Sequence, residues 1–444
     1  MQTDQSTTNL RALVPVPIRP AIPAPGRPPA VLRANVAWAL AGNAVYAASQ
    51  WGMIVVLVKL GTPEMLGQFA LGLAVTAPVM IFANLALRQI QATDARGRYS
   101  FGDYLGLRLA TTALALFVIS GLALATCRTG ETALVVILLG VAKGTESISD
   151  VFHGLFQKSE RMDRIAQSLM LKGPLSLLTL GAGIVLTGRV AGGVLVLIAG
   201  WLAVLVLFDY PIARALAVGR SGGRIVPKWS ASTTWPLFVL ALPLGIATML
   251  NSLNTSIPRY ALEWTVGERA LGLFAAISYL KVAGTIAIAA LGQAASTRLA
   301  DFFARGESAS YASLLARLSG LGAMLGGFAW LVSLVGGRPL LTVLYRPEYA
   351  EHLAAFQILM FAAALEYVGS LLGYGMTAAG LFRIQPVLFA LSAALNVALS
   401  ILLIPGRGLE GAALASVLVA GFQVAASLAS VLLALRSVPK GRHP

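Results

Sequence analysis

From Asn35 to Arg436 the chain alternates apolar stretches, each roughly 17 to 27 residues long, with short polar connections, and about twelve such stretches follow one another. A bilayer core of about 30 Å takes about 20 helical residues to cross, and inside it the backbone has only itself to hydrogen-bond. Each stretch therefore predicts a membrane-spanning helix. The spans read as 35–58, 68–87, 104–126, 132–156, 167–187, 192–213, 235–256, 270–297, 313–336, 353–378, 386–404 and 411–435. The expected fold class is an all-α polytopic membrane protein.

An internal repeat organises these spans. Leu66-Gly67-Gln68-Phe69-Ala70 recurs as Leu271-Gly272-Leu273-Phe274-Ala275, with Glu64 and Glu268 just ahead of each copy. Both copies open the second helix of a six-span half. Six is even, so the halves share one orientation and are related by an axis along the membrane normal, with a substrate path between them. The expected division is a disordered Pro-rich cytoplasmic tail over 1–34, six-helix lobes over 35–220 and 221–436 around a central cavity, and a short basic tail over 437–444.

Composition agrees. With 57% hydrophobic and 11% charged residues and a mean hydropathy of +0.79, the chain lacks the polar surface a water-soluble fold needs. The net charge of +15 changes the picture only through its placement. Most Lys and Arg fall in the tails and in the connections after even-numbered spans, which by the positive-inside rule puts both termini in the cytoplasm. The basic excess is then largely topological, and nucleic acid is not an expected partner. The single Cys127 permits no intrachain disulfide. No signal-peptide pattern precedes the first span, which is expected to direct its own insertion.

Charged side chains inside spans persist in lipid where they are paired or face water, so they are the candidate site residues. Lys143, Glu146, Asp150, His153 and Gln157 share one face of span 4. Lys143 and Glu146 suit a cavity-facing pair, and His153 and Gln157 suit the solvated face of a helix projecting into the cytoplasm. Span 8 aligns Ser278, Lys281, Thr285, Gln293 and Ser296, span 1 aligns Asn35, Asn43, Tyr46 and Gln50, and span 10 aligns Glu366, Ser370, Gly373 and Thr377. Arg108 in span 3 adds a further cation, while Arg88 and Arg259 suit either substrate contact or anchoring at the interface. Arg88, Arg108, Lys143, Arg259 and Lys281 are the candidate substrate-binding residues. Glu146, Asp150 and Glu366 are the candidates for ion coupling. A cavity with more permanent cations than anions fits a phosphate-bearing cargo, because guanidinium groups bind phosphate oxygens through paired donors. Drug or cation antiport would instead want carboxylates to dominate.

Enzyme signatures are weak. Gly219-Arg220-Ser221-Gly222-Gly223 fits the spacing of a nucleophile elbow but follows no strand and has no assignable triad partners. Lys143-Gly144-Thr145 has the wrong order for a phosphate loop. His153, His352 and His443 are too scattered for a metal site, and neither metal nor cofactor is expected. A membrane glycan polymerase or ligase would need a large outer loop, whereas the longest outer connections, 257–269 and 337–352, span about a dozen residues each. Asp94-Ala95-Arg96-Gly97-Arg98 approaches the loop motif of facilitator-superfamily transporters but lacks its upstream Gly and two of its basic positions.

Taken in order, Leu66-Gly67-Gln68-Phe69-Ala70, Tyr104-Leu105-Gly106-Leu107-Arg108, Pro258-Arg259-Tyr260 with Leu271-Gly272-Leu273-Phe274-Ala275, Leu344-Tyr345-Arg346-Pro347-Glu348-Tyr349-Ala350 and Pro405-Gly406-Arg407-Gly408-Leu409-Glu410-Gly411-Ala412-Ala413 resemble the Wzx-type polysaccharide flippases. That family belongs to the superfamily shared with multidrug exporters and the peptidoglycan-precursor flippase. The resemblance implies two six-helix lobes and passage of a polyprenyl-pyrophosphate-linked oligosaccharide from the cytoplasmic to the periplasmic leaflet of a bacterial inner membrane by alternating access. It also implies membrane lipids as surroundings, and a glycan polymerase and glycosyltransferases as working partners.

Overall fold

The structure is a computed structural model that describes residues 29–94, 97–221, 225–381 and 384–437, and every regular element among them is helical. The N-terminal half contains α1 (Pro29–Leu60), α2 (Pro63–Asn84), the short α3 (Leu87–Thr93), α4 (Phe101–Thr126), α5 (Gly130–Lys158), α6 (Met162–Thr187), α7 (Val190–Val204), a π-helical turn (Leu205–Asp209) and α8 (Tyr210–Ser221). The C-terminal half contains α9 (Ala231–Thr265), α10 (Glu268–Tyr279), α11 (Val282–Ala304), α12 (Ser308–Leu344), a 3-10 turn (Pro347–His352), α13 (Leu353–Ala378) and α14 (Ile384–Ser437).

Taking α2 with α3 and α7 with α8 as continuous runs, ten stretches among the described residues are long and apolar enough to cross a membrane, and α10 with α11, bent by 44°, makes an eleventh. The twelfth is hidden in α14. Its 54 residues would reach about 80 Å as one rod. Gly408 interrupts it with φ 53° and ψ −125°, and a Cβ on Gly411 would strike the carbonyl oxygen of Leu403. A straight helix would hold those residues about 12 Å apart. The chain therefore turns back at Gly408, and α14 is two spans, which gives the twelve expected.

Three sequence boundaries move. The first helix begins at Pro29, inside the expected tail, while 1–28 and 438–444 lie outside the described residues, as do 222–224 beside the expected lobe boundary. The expected outer connections 257–269 and 337–352 are mostly helix, since α9 runs to Thr265 and α12 to Leu344. Span 8 breaks at Leu280–Lys281, so its polar stripe is shared by two helix segments.

Lipid supplies no hydrophobic drive between helices, so close backbone approach at small residues carries much of the packing. In the N-terminal half α1 lies along α6, where a Cβ at Gly42 would meet the backbone of Ala166 and one at Gly173 would meet Ser49. In the C-terminal half α13 lies between α12 and α14, closing on α12 where Gly326 meets Ala364. The halves join chiefly where α2 packs on α9 and α10.

At the α2–α10 crossing the repeat becomes a contact. A Cβ on Gly67 would strike the carbonyl oxygen of Glu268, and one on Gly272 would strike that of Pro63. Each glycine thus seats against the first turn of the opposite helix, as a pseudo-two-fold axis between them requires. Around the crossing Arg269 bridges Glu64 at 3.0 Å and Glu348 at 3.1 Å, Gln68 donates to Glu268 at 3.3 Å, and Arg346 donates to the Lys59 carbonyl at 2.8 Å. Thr132 also donates to Glu268. All lie at the end of the bundle that carries the α1–α2 connection. At the opposite end Gly102 and Gly106 on α4 seat against the carbonyls of Val226 and Lys228 ahead of α9, while among the described residues no comparable packing joins α1 to α11.

Gly67→Ala should lower the stability of the detergent-solubilised protein by about 1–3 kcal/mol through overpacking against a carbonyl. Gly121→Ala, where a Cβ meets nothing within 4 Å, should be neutral or gain up to about 1 kcal/mol from helix propensity. Thermal unfolding of the two variants side by side checks this, and equal behaviour would remove the crossing as a constraint.

Candidate functional site

A polar cavity of about 630 Å³ opens within the C-terminal half, between α9, α10, α11, α13 and α14. That volume suits a small-molecule-sized group. The break between α10 and α11 positions its chemistry. Lys281 stands at the break, donating from Nζ to Oε1 of Glu366 on α13 at 2.7 Å. The Tyr367 hydroxyl donates to the Lys281 backbone carbonyl, and the Tyr367 ring lies where a side chain at Gly284 would otherwise sit. On the opposite wall Asn396 donates from Nδ2 to the carbonyl and side-chain oxygens of Asn254 at 2.8 and 2.9 Å, tying α14 to α9. Arg259, one helical step beyond Pro258, lines the same cavity without any ion-pair partner among the described residues. Two cations and one carboxylate thus face this space.

The N-terminal half holds a second set of charges, none of which lines that cavity. Lys143 donates to Glu146 at 2.7 Å, with both side chains about a quarter exposed, and the Tyr46 hydroxyl donates to the same carboxylate. The Lys143 ammonium also sits 5.5 Å from the centre of the Trp201 ring, a favourable cation–π distance. Tyr279 links the two sets, lying within electrostatic reach of Lys143, Glu146 and Arg259. One turn further along α5, Asp150 is clamped by Arg108 at 3.1 Å and Arg88 at 3.4 Å. Arg108 is fully buried and also donates to Ser147 at 3.2 Å and to Asn84. Arg88 donates to Gln157 at 3.1 Å.

The structure therefore places the eight candidates in three groups. Arg259, Lys281 and Glu366 share the cavity, Lys143 and Glu146 pair beside it, and Arg88, Arg108 and Asp150 form a clamp inside the N-terminal half. His153 does not face solvent as its position suggested. It is 4% exposed and packs against Ser168 and Phe156. Lys172 and Asp209, 1% and 0% exposed, are two further intramembrane charges of the N-terminal half. Their only sequence signal was a lone charge in an apolar run, each too near a span end to stand out.

The facilitator-like turn is explained locally. Asp94 accepts from the backbone amides of Arg98 and Tyr99 at 3.0 and 3.2 Å and faces Lys158 at 3.6 Å. Burial pushes its carboxyl up, but the two amide hydrogens and the ammonium outweigh that and hold it below the usual carboxylate range. Ala95 and Arg96 lie outside the described residues. No grouping of three His, Cys, Asp or Glu side chains suited to a metal occurs among the described residues. A larger groove of about 990 Å³ runs between α2, α4 and α9, with mostly aliphatic walls and Arg128 and Glu263 at one end.

The backbone arrangement is a known one. An inward-facing multidrug resistance MATE family transporter of the MOP superfamily superposes with a TM-score of 0.64 at 13% identity, over 92% of this chain and 96% of that one. A MOP superfamily transporter from Pyrococcus furiosus, described as having a binding pocket of reverse polarity, superposes with a TM-score of 0.60 at 15% identity, over 92% and 95%. The chain has the MOP transporter fold. Among curated proteins it is 26% identical over 382 residues to the capsular polysaccharide biosynthesis protein CapF of Staphylococcus aureus, covering 86% of this chain and 94% of that protein. No protein-family model matches the chain. The resemblance to the polysaccharide exporters of the MOP superfamily, carried by the motifs, thus holds, and the chain is a multi-pass membrane protein.

Buried clamp and cavity cation should respond differently to truncation. Arg108→Met leaves Asp150 with only Arg88, whose side chain is 31% exposed, and should cost about 3 kcal/mol of stability. Arg259→Ala breaks no ion pair and should leave thermal unfolding in detergent close to wild type. Equal losses in the two variants would mean that Arg259 is a packing residue.

Proposed function

We propose that this protein flips a polyprenyl-pyrophosphate-linked oligosaccharide from the cytoplasmic to the periplasmic leaflet of a bacterial inner membrane, acting in surface polysaccharide biosynthesis as a transporter rather than an enzyme. The observation that carries this reading is Arg259, a cation in a polar cavity with no anion to neutralise it among the described residues. A membrane protein keeps such a charge at a cost of roughly 2.5–3.5 kcal/mol, and a diphosphate would offset it through paired charge-assisted hydrogen bonds. Lys281 lines the same cavity, and the amides of Asn251, Asn254 and Gln423 offer donors and acceptors suited to sugar hydroxyls. The similarity to a capsular polysaccharide protein supports the same cargo. An organic cation would meet a site whose single carboxylate, Glu366, is already bonded to Lys281, so drug antiport is the poorer fit.

Alternating access between lobes over 35–220 and 221–436 is part of the proposal, with the α2–α10 contact as one of the joints they would move about. They are joined at the α1–α2 end through α2 and α10 and at the other end where α4 meets the start of α9, with no comparable packing between α1 and α11 among the described residues. The flipped product would pass to a glycan polymerase on the outer side, and glycosyltransferases would supply the substrate on the inner.

Cells lacking the gene should lose one surface glycan and accumulate its lipid-linked repeat unit facing the cytoplasm. Complementation with Arg259→Ala should restore export about ten-fold or more less well than wild type, the loss expected of a charge-assisted contact, with Arg259→Lys between the two. Accumulation of the intermediate on the periplasmic face, unpolymerised, would make the chain a polymerase or ligase and sink the flippase reading.

A further inference from the structure

The three carboxylates that the sequence offered for ion coupling are all neutralised: Glu146 by Lys143, Asp150 by Arg88 and Arg108, and Glu366 by Lys281. A carboxylate held by a permanent cation has little tendency to take up a proton. Asp209 differs. It is fully buried at the last residue of the π-helical turn, and neither of its carboxylate oxygens receives a hydrogen bond. A buried unbonded carboxylate is costly, and π-turns recur where function requires an irregular helix. Facing Asp209 from α5 is His153, whose Nε2 lies 3.7 Å from Oδ1 and 3.1 Å from the Ser168 hydroxyl on α6. Also on α6, Lys172 is within the field of Asp209 and donates to Ser149 at 2.9 Å.

We propose that His153 and Asp209 form a proton-binding site buried in the N-terminal half, in which a proton from water adds to the imidazole and the resulting cation is held by the Asp209 carboxylate. One N–H bond forms, none breaks, and the cluster gains a single positive charge. While the imidazole is neutral, Lys172 alone balances Asp209. Once it is charged, its N–H is drawn across the 3.7 Å gap, and α5 is pinned to the π-helical turn between α7 and α8. The other charges facing the imidazole are Arg88 from α3 and Lys172 from α6, both of which oppose the charged form. On α5 itself Glu146 and Asp150 are already neutralised by the partners named above. Use of this site to couple transport to a proton gradient rests on the flippase reading. The site itself does not.

The test is a pH titration of the full-length protein in lipid nanodiscs, labelled with ¹³Cε1-histidine, the His153 signal being the one lost in His153→Gln. It should titrate as a single group within the pH range over which the protein stays folded. Asp209→Asn removes the stabilising anion and should lower the midpoint by about one unit or more, and Lys172→Met removes a repelling cation and should raise it. A signal flat across that range, or one whose midpoint ignores Asp209→Asn, overturns the site. For coupling, export by His153→Gln cells should no longer fall when the proton gradient is collapsed, and a wild-type response overturns that role. A wild-type protein that flips no glycan would leave the titration untouched, so the two failures are separable.

Discussion

Two helices normally stand 8–10 Å apart because side chains fill the space between them. At the α2–α10 crossing that space is absent. Gly67 rests on the Glu268 carbonyl and Gly272 on that of Pro63, an arrangement open only to a residue without a side chain. Because each half contributes the same element, the contact is reciprocal. Arg269, Glu64, Glu348, Gln68 and Glu268 then add ion pairs and hydrogen bonds to the same end of the bundle. At the opposite end the halves meet again, where Gly102 and Gly106 on α4 seat against the carbonyls of Val226 and Lys228 and Thr233 donates to Asp103 at 3.0 Å. Among the described residues α1 and α11 share no comparable packing.

The distribution of charge follows a second constraint. Inside a bilayer an ionised side chain is tolerated where it is paired or reaches water, and most here are paired across helices. Lys281 with Glu366 ties α11 to α13, and Asp150 gathers α3 and α4 onto α5. These pairs position helices more than they offer reactivity. Among the described residues Arg259 in the C-terminal half and Asp209, with the unpaired Lys172 in its field, in the N-terminal half are exceptions. Arg259 is a cation facing an open cavity and Asp209 an anion sealed beside a histidine, so the proposed anion site and the proposed proton site fall in different halves of the molecule.

The spans themselves were legible, since twelve apolar runs give twelve crossings once α14 is divided at Gly408. The repeat was legible as a five-residue match, but not its meaning, because nothing in a sequence says that two matching glycines meet. Lys143 and Glu146 could be paired from their spacing on one helix. Lys281 and Glu366, 85 residues apart, could be named as candidates but not as partners. His153 was misplaced because a helix end near basic residues reads as solvated, whereas here α6 and the π-helical turn cover it. Lys172 and Asp209 escaped notice for the related reason that a charge near a predicted boundary is absorbed into the adjoining connection.

The central claim is that the joint around Gly67 and Gly272 holds one end of the bundle shut in this state and must open for cargo to leave. It is tested most directly by locking that end. In a Cys127→Ser background, Glu64→Cys and Arg269→Cys place thiols where an ion pair of 3.0 Å now stands, and a short reducible bifunctional reagent can bridge them in membranes. The account predicts that bridging arrests glycan export and that reduction restores it. Export at the wild-type rate by fully cross-linked protein would contradict it, and would mean that the halves do not part at this end during transport.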